Sequence, residues 1–351
     1  MVRHLIVGTM LVGCGDHSSA TTDGAPIDTA VSIDAPATAQ PISAPADTWT
    51  WVDFADSKCA SGTATGIGIN PHAGATDVVI YFEGGGACTD ADSCWGATPK
   101  ANNLAGYDAT TFEAAQQRKY PLLNRALAGN PFKDKNLVYI PYCTGDMHGG
   151  ATDVDLGTMH TYFWGAKDLD LFLARLAPTF PTAQHIWSYG TSAGGFGSFL
   201  AYSHVTAAFP AARVDIVDDS GPAIVANGAT DNHGILTTWG FVAPSGCSPC
   251  TKLFDVLETD RAAQPASKYA FLSFAQDTVI APDFLYSLAA YPGVMSSYSQ
   301  GLSADTHAAT YIFSNEQGHV VESDLANATK YLPWITLMVT DDPSWADATN
   351  P

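Results

Sequence analysis

Basic residues are scarce in this sequence. Fifteen lysines and arginines stand against 35 aspartates and glutamates, so the formal net charge is -20 at pH 7. Binding to nucleic acid or to an anionic membrane surface requires clusters of basic side chains that neutralise phosphates. The composition therefore argues against nucleic acid as a partner and against electrostatic binding to a membrane.

The apolar run at residues 5–12 is too short to cross a bilayer, which needs about 20 apolar residues. Arg3 precedes the run and small residues lead to Cys14, which is the pattern of an export signal. The tetrapeptide LVGC at residues 11–14 resembles the lipobox of bacterial lipoproteins. We therefore predict a signal peptide over residues 1–14 that ends at a lipidated Cys14. A plain short signal with an incidental cysteine is the alternative.

Residues 15–47 contain no lysine or arginine and consist largely of Ala, Asp, Thr, Ser and Pro. Such a segment cannot bury enough apolar surface to fold, which predicts a disordered acidic linker. The remainder shows no internal repeat and no second linker, so residues 48–351 are expected to form a single domain. We expect the protein to be a monomer.

Only seven cysteines are present, and six remain when Cys14 is set apart. Disulfides persist in the oxidising compartments to which an export signal leads, although six cysteines allow 15 pairings. Pairing neighbours first predicts three disulfides: Cys59–Cys143, Cys88–Cys94 and Cys247–Cys250. A redox CxxC motif at residues 247–250 and a zinc site built from these thiols are the alternatives.

Short apolar runs rich in β-branched and aromatic residues recur along the folded part, as in buried parallel strands. They occupy residues 77–82, 136–140, 185–189, 214–217, 269–274 and 310–313. Between two of these runs, apolar residues at helical spacing predict an amphipathic helix: Leu169, Phe172, Leu173 and Leu176. The alternation predicts an α/β fold with a mostly parallel central sheet and helices on both faces.

The densest cluster of small residues is SYGTSAGGFGS at residues 188–198. It places G-x-S-x-G, centred on Ser192, between a predicted strand and a predicted helix over residues 196–209. That context is typical of a nucleophile elbow, a strained turn that exposes the serine hydroxyl at a helix N-terminus. The backbone N–H of Ala193 would then face an oxyanion formed at the serine. A flexible glycine loop is the alternative.

A serine hydroxyl needs a histidine to accept its proton and an acid to orient that histidine. In a fold with this elbow the partners follow in the order serine, acid, histidine, each after a later strand. Asp277 and His319 satisfy this order. His307 is the rival base, although it precedes its strand, and Asp255 and Asp305 are weaker candidates for the acid.

A second glycine cluster, FEGGG at residues 82–86, directly follows an early strand. The loop at this place normally supplies the second donor to the oxyanion, and the backbone N–H groups of Gly85 and Gly86 are the candidates. A simple turn is the alternative.

Together these residues resemble the pectin acetylesterase and Notum family of serine carboxylesterases. The stretches that carry the resemblance are FEGGGAC at 82–88 with CW at 94–95, IPYCTGD at 140–146, GTSAGG at 190–195, DSG at 219–221, and the late Asp277 and His319. The resemblance implies an α/β-hydrolase-like fold, a catalytic triad of Ser192, Asp277 and His319, and neither metal nor cofactor. It also implies Gly85, Gly86 and Ala193 as oxyanion donors, although animal members carry tryptophan where Gly86 stands.

Within that family, plant members remove acetyl groups from pectin and animal members remove a fatty acyl group from a signalling protein. We expect an exported enzyme of the bacterial cell envelope or the extracellular space that hydrolyses short, acetyl-type esters. The expected substrate is an acylated carbohydrate, such as acetylated polysaccharide, or a related oxygen ester. Alternatives are a catalytically silent glycan-binding lipoprotein, a long-chain acyl or polyester hydrolase, and an amide or peptide hydrolase.

Residues near the motifs that carry the resemblance are candidates to line a substrate site: Tyr142, Asp146, Met147, His148 and Asp219, with Phe163 and Trp164. Core packing is the alternative for the aromatic members. Asp219 is expected either to support the site or to cap a helix.

Overall fold

A computed structural model describes residues 39–116, 120–303 and 305–350 of the protein. The predicted signal segment with Cys14 lies outside these residues, and so does the predicted linker up to residue 38. Among the described residues, no helix is both long and apolar enough to cross a membrane.

The folded unit includes residues that precede the predicted domain boundary at residue 48. The backbone N–H of Ile42 donates to Thr179 Oγ1 at 2.7 Å, and that of Asp47 donates to the carbonyl of Pro71 at 2.8 Å. Asp47 also accepts a hydrogen bond from His72 Nδ1 at 2.7 Å. Residues 39–47 therefore belong to the folded unit rather than to a linker. Their composition did not reveal this, because the partners come from distant parts of the chain.

Within the described residues, nine strands form one sheet in the order β1-β2-β4-β3-β7-β8-β9-β10-β11. In chain order the strands are β1 Thr50–Phe54, β2 Thr65–Asn70, β3 Val78–Phe82, β4 Asn136–Ile140, β5 Thr152–Leu156, β6 Met159–Phe163, β7 His185–Thr191, β8 Arg213–Asp219, β9 Tyr269–Asp277, β10 Ala308–Gly318 and β11 Ala348–Asn350. From β4 to β11 every neighbouring pair is parallel, whereas β1 and β2 add an antiparallel edge. Strands β5 and β6 form a separate antiparallel hairpin.

Ten α-helices accompany these strands in the described part of the chain. They are α1 Ala91–Trp95, α2 Ala109–Gln116, α3 Gly165–Thr179, α4 Ala193–Leu200, α5 Tyr202–Ala208, α6 His233–Thr238, α7 Leu253–Ala263, α8 Ile280–Asp283, α9 Tyr291–Leu302 and α10 Leu325–Val339. Short 3-10 helices occupy Pro121–Leu123 and Val321–Ser323. The predicted helix over residues 196–209 is thus two helices that meet at Ala201.

The alternation of side chains along the strands divides the core into two layers. On β3, Val78, Ile80 and Phe82 pack into the layer that contains α3, α4, α5, α7 and α9. Val79 and Tyr81 point to the opposite layer, which contains α2 and α10. Successive residues of a strand face opposite sides of a sheet, so continuous apolar strands need helices on both faces. The predicted α/β architecture is confirmed.

All six predicted parallel strands are present, within a few residues of their predicted ends. The antiparallel edge and the β5–β6 hairpin were not predicted. The hairpin strand β5 alternates half-buried and exposed residues and carries two aspartates, so it lacks the continuous apolar run that marked the buried strands.

Candidate active site

Ser192 stands between the end of β7 and the start of α4, in a backbone conformation that side chains rarely adopt. Its φ is 56° and its ψ is -123°. A non-glycine residue held in such a sparsely populated region costs about 1–3 kcal/mol and persists only where the surrounding structure imposes it. The predicted strand–turn–helix context of Ser192 is therefore present.

The glycines on either side of Ser192 are sterically required. A Cβ added to Gly190 would lie 1.8 Å from the carbonyl oxygen of Gly194. One added to Gly194 would lie 1.9 Å from the carbonyl oxygen of Phe82. The tight turn thus brings backbone against backbone at both positions, which only glycine permits. This excludes the alternative of a merely flexible loop.

His319 and Asp277 lie beside the serine in the expected order of contacts. The Ser192 hydroxyl donates to His319 Nε2 at 2.7 Å. His319 Nδ1–H donates to the Asp277 carboxylate, with distances of 2.9 Å and 3.0 Å to its two oxygens. Asp277 is fully buried and also accepts the backbone N–H groups of Val279 and Ile280, at 2.9 Å and 2.8 Å. The carboxylate is therefore held in place by its own turn as well as by the imidazole.

The pairing of β9 with β10 explains how two residues 42 positions apart meet. A register shift after Phe313 lets β10 continue, and Gly318 then pairs with Asp277 at the carboxyl ends of the two strands. His319 follows directly. Both strands are longer than predicted, so Asp277 is the last residue of its strand rather than a residue of the following loop.

The alternative candidates for the base and the acid do not contact Ser192 or His319. His307 precedes β10, at the opposite end of the strand from His319, and its Nδ1 is 3.4 Å from Asp305. Asp305 also pairs with Arg261. Asp255 accepts the backbone N–H of Lys252 at the start of α7.

The second glycine loop lies against the elbow because β3 and β7 are parallel neighbours in which Phe82 pairs with Gly190. A Cβ on Gly84 would come within 2.3 Å of the carbonyl oxygen of Thr191. Gly86 has a φ of 79° and lines the same cavity as Ser192 and Ala193. Gly85 is not among the lining residues, and a Cβ added to it would lie 2.7 Å from Cδ1 of the Tyr142 ring.

The cavity over Ser192 has a volume of about 480 Å³ and an apolar lining. Its apolar residues include Met147, Phe196, Ile235, Trp239, Ile280 and Phe284. Most of them come from the segments after β8 and β9, which include α6 and α8 and carry no sequence motif. Sequence analysis identified only Met147 among them. Lys100, Asp231 and Asp283 add charged groups to the lining.

Three of the candidate substrate-site residues are buried beneath the site instead of lining the cavity. Tyr142 and His148 pack against each other, with ring centroids 4.7 Å apart. Asp146 accepts hydrogen bonds from the Thr144 hydroxyl at 2.6 Å and from the backbone N–H of Gly165 at 2.8 Å, and burial raises the pKa of its carboxyl. These side chains have their partners inside the protein, in ring packing and in hydrogen bonds. They therefore hold the loops beneath the cavity in place.

Asp219 is buried and holds the segment that follows His319. Its carboxylate accepts the backbone N–H groups of Val321 and Glu322, both at 2.9 Å, and the hydroxyl of Ser220. These amides begin the 3-10 helix that follows His319, so Asp219 both supports the site and caps a helix. Burial raises the pKa of Asp219 to about 6.

The two further aromatic candidates, Phe163 and Trp164, do not line the cavity. Phe163 is fully buried in the core. Trp164 hydrogen-bonds to Asp153, and the ammonium groups of Lys58 and Lys167 lie 4.3 Å and 4.6 Å from its ring centroid. Core and surface packing explain both residues.

All three predicted disulfides are present: Cys59–Cys143, Cys88–Cys94 and Cys247–Cys250. The first ties the loop before β2 to the segment after β4, and the second closes the segment that follows the glycine loop. Because all six cysteines are paired, none of these thiols is free to bind zinc in this structure.

Fold and site together define the class: an α/β-hydrolase fold with a serine elbow, a histidine and a buried aspartate at the carboxyl ends of parallel strands. The pectinacetylesterase family matches residues 47–307, a range that includes Ser192 and Asp277 and ends before His319. The chain therefore belongs to the pectinacetylesterase family of carboxylic ester hydrolases.

Two relatives illustrate the range of this likeness. A palmitoleoyl-protein carboxylesterase NOTUM from Schmidtea mediterranea is 30% identical over 127 residues, which cover 35% of this chain and 23% of that protein. The chain thus matches about a quarter of that relative's length. The structure of the Wnt deacylase Notum from Drosophila superposes with a TM-score of 0.57 at 17% identity, over 83% of this chain and 94% of that one. The second likeness establishes the fold.

Proposed function

We propose that this chain is a serine carboxylesterase in which Ser192 is the nucleophile, His319 the general base and Asp277 the residue that orients the imidazole. The observation that carries the proposal is the 2.7 Å contact between Ser192 Oγ and His319 Nε2. Membership of the pectinacetylesterase family supports it.

The steps follow from the positions of the atoms. Ser192 Oγ attacks the ester carbonyl carbon while its proton passes to His319 Nε2, and the carbonyl oxygen becomes an oxyanion. The backbone N–H groups of Gly86 and Ala193 are the proposed donors to this oxyanion. The C–O bond to the alcohol then breaks, and His319 returns the proton to the leaving oxygen. Water, activated in turn by His319, releases the acid from the acyl-enzyme.

The cavity makes longer acyl groups a second candidate beside the expected acetyl esters. Its volume of about 480 Å³ lies in the range of about 300–1,000 Å³ typical of pockets for drug-sized ligands. Burial of each methylene contributes about 0.8 kcal/mol. If the acyl chain occupies this cavity, kcat/KM for p-nitrophenyl esters rises from acetate towards longer chains. A maximum at acetate would assign the cavity to the alcohol part of the substrate.

Substitution of Ser192 tests the proposal. Ser192→Ala should abolish both turnover of p-nitrophenyl acetate and labelling by a fluorophosphonate probe. Asp277→Asn should lower kcat by a factor on the order of 10⁴, as loss of the orienting acid does in such triads. Asp305→Asn, a change to the rival carboxylate, should leave kcat within about threefold. Turnover that survives Ser192→Ala would refute the proposal, and a wild-type protein without labelling or turnover would favour the silent glycan-binding alternative.

Location and substrate identity remain part of the proposal. The three disulfides fit an exported protein. Lipidation of Cys14, a monomeric state and acetylated polysaccharide as the substrate stay predictions. Radiolabelled palmitate incorporation into the wild type and its absence in Cys14→Ala would test the anchor. A panel of matched esters and amides would separate esterase from amidase activity.

A further inference from the structure

We propose that Tyr142 and His148 are positioning residues that orient the glycine loop Glu83–Gly86 for oxyanion binding. This inference rests on the proposed function. Both side chains are buried under the loop, and neither touches the cavity.

Tyr142 connects the glycine loop to a strained turn. Its hydroxyl donates to the carbonyl of Gly86 at 2.8 Å and accepts the backbone N–H of Met147 at 2.9 Å. Met147 and His148 are consecutive non-glycine residues with φ values of 52° and 62°. Burial raises the pKa of Tyr142 well above its usual value, so the hydroxyl remains a donor at all working pH values.

The peptide planes on both sides of Gly86 are held by hydrogen bonds. The carbonyl of Gly85 accepts the backbone N–H of Asn102 at 2.8 Å, and the carbonyl of Gly86 accepts the Tyr142 hydroxyl. In a trans peptide the C=O and the next N–H point in opposite directions. The bond from Asn102 therefore directs the Gly86 N–H to the other side of its plane, and the bond from Tyr142 fixes the following plane.

His148 holds the beginning of the same loop. Its Nε2–H donates to the carbonyl of Glu83 at 2.8 Å. Burial lowers the pKa of His148 to about 4, so the ring is neutral near pH 7 and keeps its single proton on the nitrogen that faces the carbonyl. A Cβ on Gly197 of α4 would lie 2.7 Å from His148 Cδ2. The ring thus lies between the helix that follows Ser192 and the glycine loop.

Three consecutive glycines explain why such support is needed. Glycine has the largest backbone freedom of any residue, so an unsupported Gly84–Gly86 segment would sample many orientations of its N–H groups. An oxyanion donor is effective only when it already points at the position of the developing charge. Loss of one such donor typically lowers kcat by about 10²–10³-fold, and a loosened donor should cost part of that.

The test compares Tyr142→Phe with Tyr202→Phe. Tyr202 is a matched control because it is equally buried and its hydroxyl contacts two partners, Val214 O at 3.1 Å and Ser267 Oγ at 2.5 Å. We expect Tyr142→Phe to lower kcat about 10- to 100-fold with little change in KM. The inhibition constant of phenylboronic acid should rise by a similar factor, because this inhibitor forms a tetrahedral anionic adduct that mimics the transition state. Tyr202→Phe should change neither value.

Two results would overturn the inference. One is an unchanged kcat in a folded Tyr142→Phe protein. The other is a fall in kcat without a parallel rise in the boronate inhibition constant.

If Tyr142→Phe does not fold, His148→Gln and His148→Leu provide the test, since glutamine can still donate to Glu83 O and leucine cannot. The inference requires a higher kcat in the glutamine variant, and equal values refute it. Failure of the proposed function is distinguishable, since it would appear as turnover in Ser192→Ala.

Discussion

The backbone N–H of Ser192 donates a 2.7 Å hydrogen bond to the carbonyl of Asp219. The carboxylate of the same aspartate holds the amides of Val321 and Glu322, which follow His319. One residue at the end of β8 therefore contacts both the turn that carries the proposed nucleophile and the loop that carries the proposed base. This connection joins the two segments that bring Ser192 Oγ and His319 Nε2 within 2.7 Å of each other.

Removal of the Asp219 carboxylate should loosen the His319 loop. In Asp219→Ala the two amides lose their acceptor, and we expect kcat to fall at least tenfold because the imidazole is no longer held at the serine. Steady-state kinetics and the rate of fluorophosphonate labelling measure the effect. Asp324→Ala is the control, since Asp324 caps α10 through the N–H of Ala326 and contacts neither Ser192 nor His319. Equal kcat values for the two variants would contradict the role of Asp219.

The steric requirement at the elbow can be tested with two glycines. Gly194→Ala would place a Cβ 1.9 Å from the carbonyl oxygen of Phe82, so the elbow must distort. We expect a strongly destabilised protein without labelling at Ser192.

Gly293 provides the control, since it lies in α9 with no atom within 4 Å of an added Cβ. Gly293→Ala should raise the free energy of unfolding by about 0.5–1 kcal/mol. Denaturant titration of both variants provides the measurement, and a normal, active Gly194→Ala protein would disprove the packing described for the turn.

A buried acid in α7 predicts a pH dependence of stability. Asp260 is 4% exposed, its Oδ2 has no hydrogen-bond partner, and burial raises the pKa of its carboxyl to about 7. The unfolded chain loses this proton near pH 4, so between pH 4 and 7 the folded state binds more protons and stability falls as the pH rises. Asp260→Asn removes the titration.

The free energy of unfolding of the wild type should fall by roughly 2–4 kcal/mol between pH 4.5 and pH 8 through the titration of Asp260. The Asp260→Asn variant should lack this part of the fall. Urea titrations of both proteins at the two pH values measure this difference. An identical pH dependence in the two proteins would show that Asp260 does not titrate in this range.

Much of the site could be predicted from short stretches of sequence. GTSAG between an apolar strand and a helix predicts an elbow because backbone contacts at Gly190 and Gly194 exclude larger side chains. Ser192, Asp277 and His319 were predicted from their order along the chain, and the structure brings them together at one end of the sheet. This happens because parallel strands bring successive carboxyl-terminal loops to the same edge. Local cysteine spacing likewise predicted two of the disulfides, and the third followed by elimination.

The places where prediction failed depend on contacts between distant segments. Tyr142 and His148 were candidates for a substrate site, yet they lie beneath the glycine loop, and nothing in a local pattern distinguishes a buried aromatic residue from one that lines a cavity. Trp239 and Phe284 line the cavity and were not predicted, because they belong to loops without a periodic pattern. Residues 39–47 were assigned to the linker, although distant partners order them.

By itself, the sequence determined the parallel α/β architecture and the strained turn at Ser192, because both depend on local residue size and spacing. For Asp277 and His319, it supplied only their order along the chain. The tertiary structure alone decided the register that places Gly318 beside Asp277, the apolar cavity over Ser192 and the support beneath the glycine loop. The physical reason is that these features arise from packing between segments far apart in the chain, and no local pattern encodes the partner that each segment meets.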